Sequence, residues 1–238
     1  MTTVMMRRLA AALVMAIVAC GAGAIGSANA LVQQPAARIT LLDRFLAPDD
    51  QPLVSYRAFR HLSASTRGGR MHASIDAWTT LDPVRGFTFE VTSAEGSALI
   101  QKKVLVAALE AEQMAVQSST NKAQSALTRA NYEFLGIMPL DAHLVKVDVR
   151  PRRKHVMLVN GALVIESDSA DLVRVEGELS QRPSFWTRRV HVVREYDRVD
   201  GVHVPISMKS TADVLIVGTS SFSMTYRYSE INGKSVSQ

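Results

Sequence analysis

The sequence predicts an α+β fold built on an antiparallel sheet, because apolar residues alternate with polar ones along most of the chain. The two clearest alternating stretches lie near the C-terminus, and their apolar residues are Val202, Val204, Ile206 and Met208, then Phe222, Met224, Tyr226 and Tyr228. A period of two places such residues on one face of a strand. From 98 to about 115 the period is helical instead. We therefore expect a sheet with one apolar face that helices or a ligand must cover.

The composition is that of an ordinary folded protein. The chain has 238 residues, of which 47% are hydrophobic and 21% are charged. This length can bury a full core in one domain. The formal net charge of +5 is small and scattered, and no nucleic-acid-binding motif occurs. We therefore expect no nucleic-acid partner.

The first 30 residues have the layout of a secretory signal peptide. Met1–Arg8 is short and basic, Leu9–Ala19 is apolar, and Ala28-Asn29-Ala30 fits a cleavage site. The apolar run is too short for a membrane-spanning helix. We expect residues 1–30 to be removed and residues 31–238 to form a single exported, periplasmic domain.

Cys20 leaves a second route of processing open. The segment 17–21, Ile-Val-Ala-Cys-Gly, is similar to a bacterial lipobox, in which the cysteine is lipidated. The protein would then be an outer-membrane lipoprotein. Cys20 is the single cysteine of the chain, so the mature protein contains no disulfide and depends on its core for stability.

The mature chain is predicted to begin with a helix over 36–46, whose apolar stripe consists of Ile39, Leu42, Phe45 and Leu46. Strands are predicted over 53–62, 71–79 and 84–92, with loops at 63–69 and 93–96. Ser97 is the predicted N-cap of the next helix, whose stripe is Ile100, Val104, Ala107, Ala108 and Ala111. We expect 113–129 to be a mobile loop or a frayed extension of that helix.

Strands resume at 132 and continue to the C-terminus. Val145, Val147 and Val149 share one face of a strand over 144–150. Asn160-Gly161, within 156–166, is a strong hairpin signal. Asp200-Gly201 is predicted to turn the chain between strands over 186–196 and 202–209. We find no repeat and no linker to a second domain.

Two passages carry a family resemblance. The first, over 194–205, ends in the pattern D-G-x-x-x-P from Asp200 to Pro205. The second, over 224–233, contains Tyr226, Tyr228, Ile231 and Asn232. Together with the order of elements they resemble the LolA/LolB-like superfamily of outer-membrane lipoprotein-sorting proteins. The resemblance implies a strongly curved antiparallel half-barrel, with two or three helices across its concave side, that encloses acyl chains or a protein partner. No residue is assigned to the lid-locking arginine of the carriers or the membrane loop of the receptors.

A curved sheet with few helices leaves room for an apolar guest on its concave face. The candidate lining residues are Phe87, Phe89, Val145, Val147, Met224 and Tyr226. The expected ligand is a lipid or the acyl chain of a lipoprotein. Two alternatives remain open: helix side chains fill the space, or the protein senses or anchors another envelope protein.

Catalysis is not expected. The six histidines lie on separate segments, and no HExxH motif or close His/Asp pair occurs. Asp76 and Glu90 lie on neighbouring predicted strands, where two carboxylates could form an acid–base pair. A solvated strand face explains their positions better. We expect no metal and no cofactor.

A basic cluster around Pro151 consists of Arg150, Arg152, Arg153 and Lys154, followed by His155. It is interpreted either as a contact for phospholipid head groups or an acidic partner, or as a solvated turn.

Overall fold

The computed structural model describes residues 40–47, 51–117, 123–185, 187–215 and 218–236. Within these ranges the fold is one antiparallel sheet of 11 strands with a few helices. The predicted α+β class and antiparallel pairing are confirmed. The predicted signal peptide, including Cys20, the start of the predicted helix over 36–46 with Ile39, and the first residue of the predicted strand over 186–196 lie outside the described residues.

Ten strands form a continuous path across the sheet, in the order β3-β2-β1-β10-β9-β8-β7-β6-β5-β4, and β11 pairs with β10. The strands are β1 (Tyr56–Thr66), β2 (Met71–Asp82), β3 (Gly86–Gly96), β4 (Tyr132–Pro139), β5 (Leu144–Pro151), β6 (Val159–Glu166), β7 (Leu172–Leu179), β8 (Thr187–Val199), β9 (Val202–Val214), β10 (Gly218–Ile231) and β11 (Lys234–Ser235). The strands β3 and β4 are the edges, so the sheet is open.

The longest helical stretch, over 98–116, is named here the cover helix. It consists of α2 (Ala98–Ile100), a π-helical turn (Gln101–Val106) and α3 (Ala107–Val116). A shorter helix, α1 (Leu41–Phe45), precedes the sheet, and a capping box between Thr40 and Asp43 fixes its start. Arg44 ties α1 to the β6–β7 connection by donating to the carbonyls of Ser167 and Asp168, both at 2.7 Å.

One face of the sheet, named here the inner face, carries the core. A register row crosses it from β5 to β2 through Val147, Leu163, Val175, Arg194, Met208, Met224, Leu62 and Ile75. Every member except Arg194 is buried. The cover helix packs against β1, β2 and β10 in one apolar cluster, whereas α1 packs against β5, β6 and β7 in a second cluster.

The π-helical turn changes which side chains of the cover helix meet the sheet. Ile100, Leu105, Ala108 and Leu109 are buried, while Val104, Ala107 and Ala111 are only half-buried. The sequence predicted the helix correctly but placed Val104 on the stripe, because an α-helical period was assumed. One π-turn inserts an additional residue and rotates the following side chains, so Leu105 takes that place.

Asn160-Gly161 is not a turn, so this prediction was wrong. Both residues lie inside β6, and Gly161 pairs with Gly177 of β7. A Cβ atom on Gly161 would lie 2.1 Å from the carbonyl oxygen of Glu176. Glycine is therefore required here by the close approach of two backbones rather than by a turn.

Two predicted loops are largely strand. The strand β1 extends to Thr66 and β3 extends to Gly96. Hydroxyl pairs across β1 and β10 explain the first extension: Ser63 with Ser223 and Ser65 with Ser221, both at 2.8 Å. Such pairs stabilise a polar strand face that a hydrophobic pattern does not detect.

Candidate functional site

A buried ion pair joins the sheet to the cover helix. The alternation of β1 directs Ala58, Arg60 and Leu62 to the inner face, and α3 directs Glu112 toward it. Arg60 is 1% exposed and Glu112 is 7% exposed. Sequence reasoning missed this pair. The available signal was a basic residue at an inward position between two apolar ones.

The geometry of the pair is bidentate. Nη1 of Arg60 donates to Oε2 of Glu112 at 2.6 Å, and Nη2 donates to Oε1 at 3.0 Å. Nη2 also donates to the hydroxyl of Tyr56, and Nη1 lies 3.6 Å from the sulfur of Met224. Charge-assisted bonds of this fork type are directional and strong. Four elements of the fold therefore meet at one guanidinium group: β1, β10, α3 and, through Phe87, β3.

Aromatic rings surround the Arg60 guanidinium. Its carbon atom lies 4.5 Å from the ring centroid of Tyr226, 5.2 Å from that of Phe87 and 5.7 Å from that of Tyr56. These distances are within the range of cation–π attraction. We name the group of Arg60, Glu112, Tyr56, Phe87 and Tyr226 the latch.

The surroundings of the latch keep its charges in place. Burial opposes the charge of Arg60, but the Glu112 carboxylate holds the pKa of the guanidinium above its usual range. Burial raises the pKa of Tyr56 and Tyr226, so both phenols stay neutral. The Nε atom of Arg60 is buried without a hydrogen-bond partner among the described residues. A buried donor without a hydrogen-bond partner lowers the free energy of unfolding by about 1–3 kcal/mol.

Arg194 is a second cation on the inner face. It occupies the register row between Val175 and Met208, and therefore lies between the two apolar clusters. Its Nη1 atom donates to the hydroxyl of Tyr196 at 3.3 Å. The inner face is thus divided by a polar position rather than continuously apolar.

The six predicted lining residues do not form one site. Phe87, Phe89, Met224 and Tyr226 lie in the cluster under the cover helix, and Phe87 and Met224 are buried there. Val145 and Val147 lie in the second cluster. The structure thus groups four of the six residues around the latch, where they pack against protein side chains, and places two elsewhere.

The basic cluster divides into structural and solvated residues. Arg152 donates from Nε to the carbonyl of Arg129 at 2.9 Å, and Arg153 donates to Oδ1 of Asn131 at 2.6 Å. Arg150 lies 3.9 Å from the Glu133 carboxylate. Lys154 is exposed. Arg152 and Arg153 therefore hold the segment before β4 in place, besides any contact with a partner.

A His/Asp pair does exist, contrary to the prediction. His61 on β1 and Asp76 on β2 are register partners, and Nδ1 lies 2.7 Å from Oδ1. The hydroxyl of Ser93 donates to the other carboxylate oxygen at 3.2 Å, and so binds the acid rather than the imidazole. Cross-strand pairing, which spacing along the chain does not show, brings the two residues together. Glu90 is exposed and faces Trp78 instead.

The described residues contain neither a metal-binding group of side chains nor a membrane-spanning helix. No group of three or more His, Cys, Asp or Glu side chains among them could hold a metal ion. None of the described helices has the length and apolar character needed to cross a membrane.

Comparison with known proteins gives one weak similarity. No family model and no curated protein matches the sequence. The solved structure of a DUF1329 family protein from Desulfovibrio piger is similar at a TM-score of 0.34, with 10% identity, over 74% of this chain and 84% of that chain. A similarity at this level carries no argument about function.

Proposed function

We propose that the protein is an exported, non-enzymatic carrier or binder of an apolar ligand in the bacterial cell envelope. The ligand is a lipid or the acyl chain of a lipoprotein, and the fold is a LolA-like half-barrel. The cover helix, predicted over 97–115, gates the inner face together with the segment 113–129, part of which lies outside the described residues.

The observation that carries the proposal is the bidentate contact between Arg60 and Glu112. A helix needed only as a permanent cover is held as well by apolar contacts, since a buried ion pair contributes little net stability over apolar residues of similar size. When an ion pair separates, both charges regain their hydration, so such a pair suits a contact that opens and closes. In the proposed cycle the pair closes the helix on the sheet in the empty protein.

The latch also fits the resemblance to the carriers. Those proteins have an arginine that locks a helical lid, and we assign that role to Arg60. The π-helical turn over 101–106 lies directly before α3. Such turns are weak points in a helix and are frequent at functional sites. We propose that this turn is the hinge at which α3 swings when Glu112 leaves Arg60.

The side chains beneath the helix are the proposed contact surface. Release of the helix exposes Phe87, Phe89, Met224 and Tyr226, which now pack against it. An acyl chain would replace the apolar contacts of Leu105 and Leu109 with contacts of its own. Val145 and Val147, in the second cluster, would join this surface only in a larger rearrangement.

The curvature of the proposed half-barrel is supported by the glycine pair. Gly161 and Gly177 face each other in the interior of β6 and β7, where backbones approach too closely for a side chain. Glycines inside strands often mark a sharp bend of a sheet. A bend here would turn β4, β5 and β6 toward the cover helix.

Native mass spectrometry after gentle purification tests the proposal. The expected result is a mass of the mature chain plus one lipid, and the same spectrum reports cleavage after Ala30 or lipidation of Cys20. As the matched control, the double variant Arg60→Met/Glu112→Leu should retain less lipid, because its latch is replaced by a permanent apolar contact. A lipid-free mass in both forms would reject carriage.

An interaction protein is the second candidate, and the edge strand β4 favours it. Leu135, Ile137, Met138 and Leu140 are exposed in and directly after this strand. An open strand edge with apolar side chains pairs readily with a strand of another protein. A protein partner recovered with an empty inner face would support this alternative and would be lost in the variant Ile137→Lys.

A further inference from the structure

The topology collects five chain segments at one end of the sheet. Because the strands are antiparallel, the connections β1–β2, β5–β6, β7–β8 and β9–β10 and the start of the cover helix all lie at the end where β1 finishes. Their order along the edge follows the order of strands: cover helix, β1–β2, β9–β10, β7–β8, then β5–β6. We name the described residues of these segments the basic rim.

The charged residues in the connections of the basic rim are all positive. Its exposed basic residues are Arg67, Arg70, Lys102, Arg152, Arg153, Lys154 and Arg182, and the exposed Arg188 and Arg189 follow at the start of β8. The acidic residues nearest to this end lie within strands: Glu95, Glu133, Glu178 and Asp213. Two rim arginines are each close to one of them: Nη1 of Arg152 lies 3.5 Å from Glu133, and Nη1 of Arg189 lies 3.9 Å from Glu178. Arg67, Arg70, Lys154, Arg182 and Arg188 form no ion pair with a described carboxylate.

The connections at the opposite end of the sheet carry mainly negative charge. Its connections contain Asp82, Asp141, Asp168, Asp171 and Asp200. Three basic side chains beside these are engaged: Arg85 with Asp82, Arg198 with Asp171, and Arg44 with the carbonyls of Ser167 and Asp168. Lys234 in β11 is exposed at the same end. The described chain is therefore electrically polarised along its strands, although its net charge is small.

Apolar side chains project from the basic rim. Phe185 in the β7–β8 connection is 83% exposed, and Leu215 after β9 and Leu99 in α2 are also exposed. These side chains leave apolar surface exposed to solvent at this end of the sheet. Among basic side chains they provide the two attractions that bring a peripheral protein to an anionic bilayer: insertion of apolar groups and attraction to head groups.

We propose that the basic rim docks the protein end-on to an anionic lipid surface, with Phe185 at the level of the head groups. A soluble polyanion would need the charges alone, whereas the exposed phenyl ring and leucines match a bilayer. The proposal does not depend on carriage of an acyl chain, because the latch lies inside the fold and the rim lies at its end. It extends the contact expected of Arg150–Lys154 to the whole edge and assigns the leading part of the charge to Arg67, Arg70, Arg182 and Arg188.

Co-sedimentation with vesicles tests the docking. The protein should bind vesicles of phosphatidylglycerol and phosphatidylethanolamine, bind weakly to phosphatidylcholine alone, and detach as salt is raised. Arg70→Gln and Arg182→Gln should each weaken binding about fivefold, and the double variant about 25-fold. Arg85→Gln, the same change at the acidic end, should leave binding unchanged.

The contribution of exposed apolar side chains to docking is tested with a second pair of variants. Phe185→Ala should weaken binding to anionic vesicles, whereas Val84→Ala, at a residue that is 93% exposed at the opposite end, should not. Arg70→Lys/Arg182→Lys should retain binding, and unchanged thermal unfolding shows that each variant is folded. The proposal would be overturned if variants at the two ends lost vesicle binding equally, or if the protein bound neutral and anionic vesicles equally well. Docking is measured by co-sedimentation with vesicles and carriage by the lipid retained in the native mass spectrum, so failure of docking is separable from failure of carriage.

Discussion

Arg60 of β1 and Glu112 of α3 form a two-bond ion pair across the interface between the sheet and the cover helix, with both side chains withdrawn from solvent. The pair lies among Tyr56, Phe87 and Tyr226, so its charges face rings rather than water. We propose that separation of this pair releases the helix from the sheet.

The stability of the latch can be measured by urea denaturation. Glu112→Leu and Arg60→Met should each lower the free energy of unfolding by about 3–5 kcal/mol, because each leaves one buried charge without its partner. The double variant should recover most of this loss, since no charge remains. A double variant that is as unstable as the sum of both singles would contradict a coupled pair.

The register of the π-helical turn gives a second prediction. Leu105→Ala should cost about 2–5 kcal/mol, because a buried leucine is removed from the sheet interface. Val104→Ala should cost clearly less, since Val104 is half-buried. Thermal or urea unfolding of both variants measures the two losses of stability. A larger loss at Val104 would mean that the helix follows a regular α-helical period.

The glycine pair gives a third prediction. Gly161→Ala should destabilise the protein by about 1–3 kcal/mol or more, because the added methyl group meets the backbone of Glu176. Gly136→Ala is the matched control, as nothing lies within 4 Å of its added Cβ atom; its effect should stay within about 0.5 kcal/mol. Similar unfolding midpoints for the two variants would show that β6 and β7 are not in close approach.

A fourth prediction concerns pH. Burial, followed by the positive charge of Arg153, lowers the pKa of His155 below its usual 6.5, and Nδ1 of this ring accepts a hydrogen bond from the main chain of Met157 at 3.3 Å. The unfolded chain therefore binds this proton more readily than the folded one. The contribution of His155 to stability is present above pH 6.5 and is lost as the pH falls through its folded pKa.

An NMR titration of the His155 ring checks this directly. Its midpoint should lie below 6.5, and Arg153→Gln should raise it, because one of the two causes is then removed. A midpoint above 6.5 would reverse the sign of the pH dependence.

The strands were the most predictable part of the fold, for a physical reason. In β10 the alternation of Phe222, Met224 and Tyr228 follows directly from burial of one strand face. Asp200 and Gly201 both adopt the positive φ that a tight turn requires. Patterns of this kind are local, and the sequence alone carries them.

The latch was not predictable because it depends on two distant segments. Arg60 interrupts an apolar pattern, and only the packing of α3 on β1 supplies the carboxylate that makes its burial acceptable. Gly161 is similar: its turn-forming propensity is real, but the position of β7 decides its role. The sheet order likewise decides that separate basic connections form one rim. Tertiary contacts, absent from any local pattern, determine all three.

The uptake of a fluorescent long-chain fatty acid by the purified mature protein tests the central claim most directly. The account predicts saturable binding of one acyl chain, faster uptake in Glu112→Gln, where the latch is weakened, and slower uptake in Arg60→Met/Glu112→Leu. The absence of binding in all three forms, or identical uptake rates in all three, would contradict a gated apolar interior.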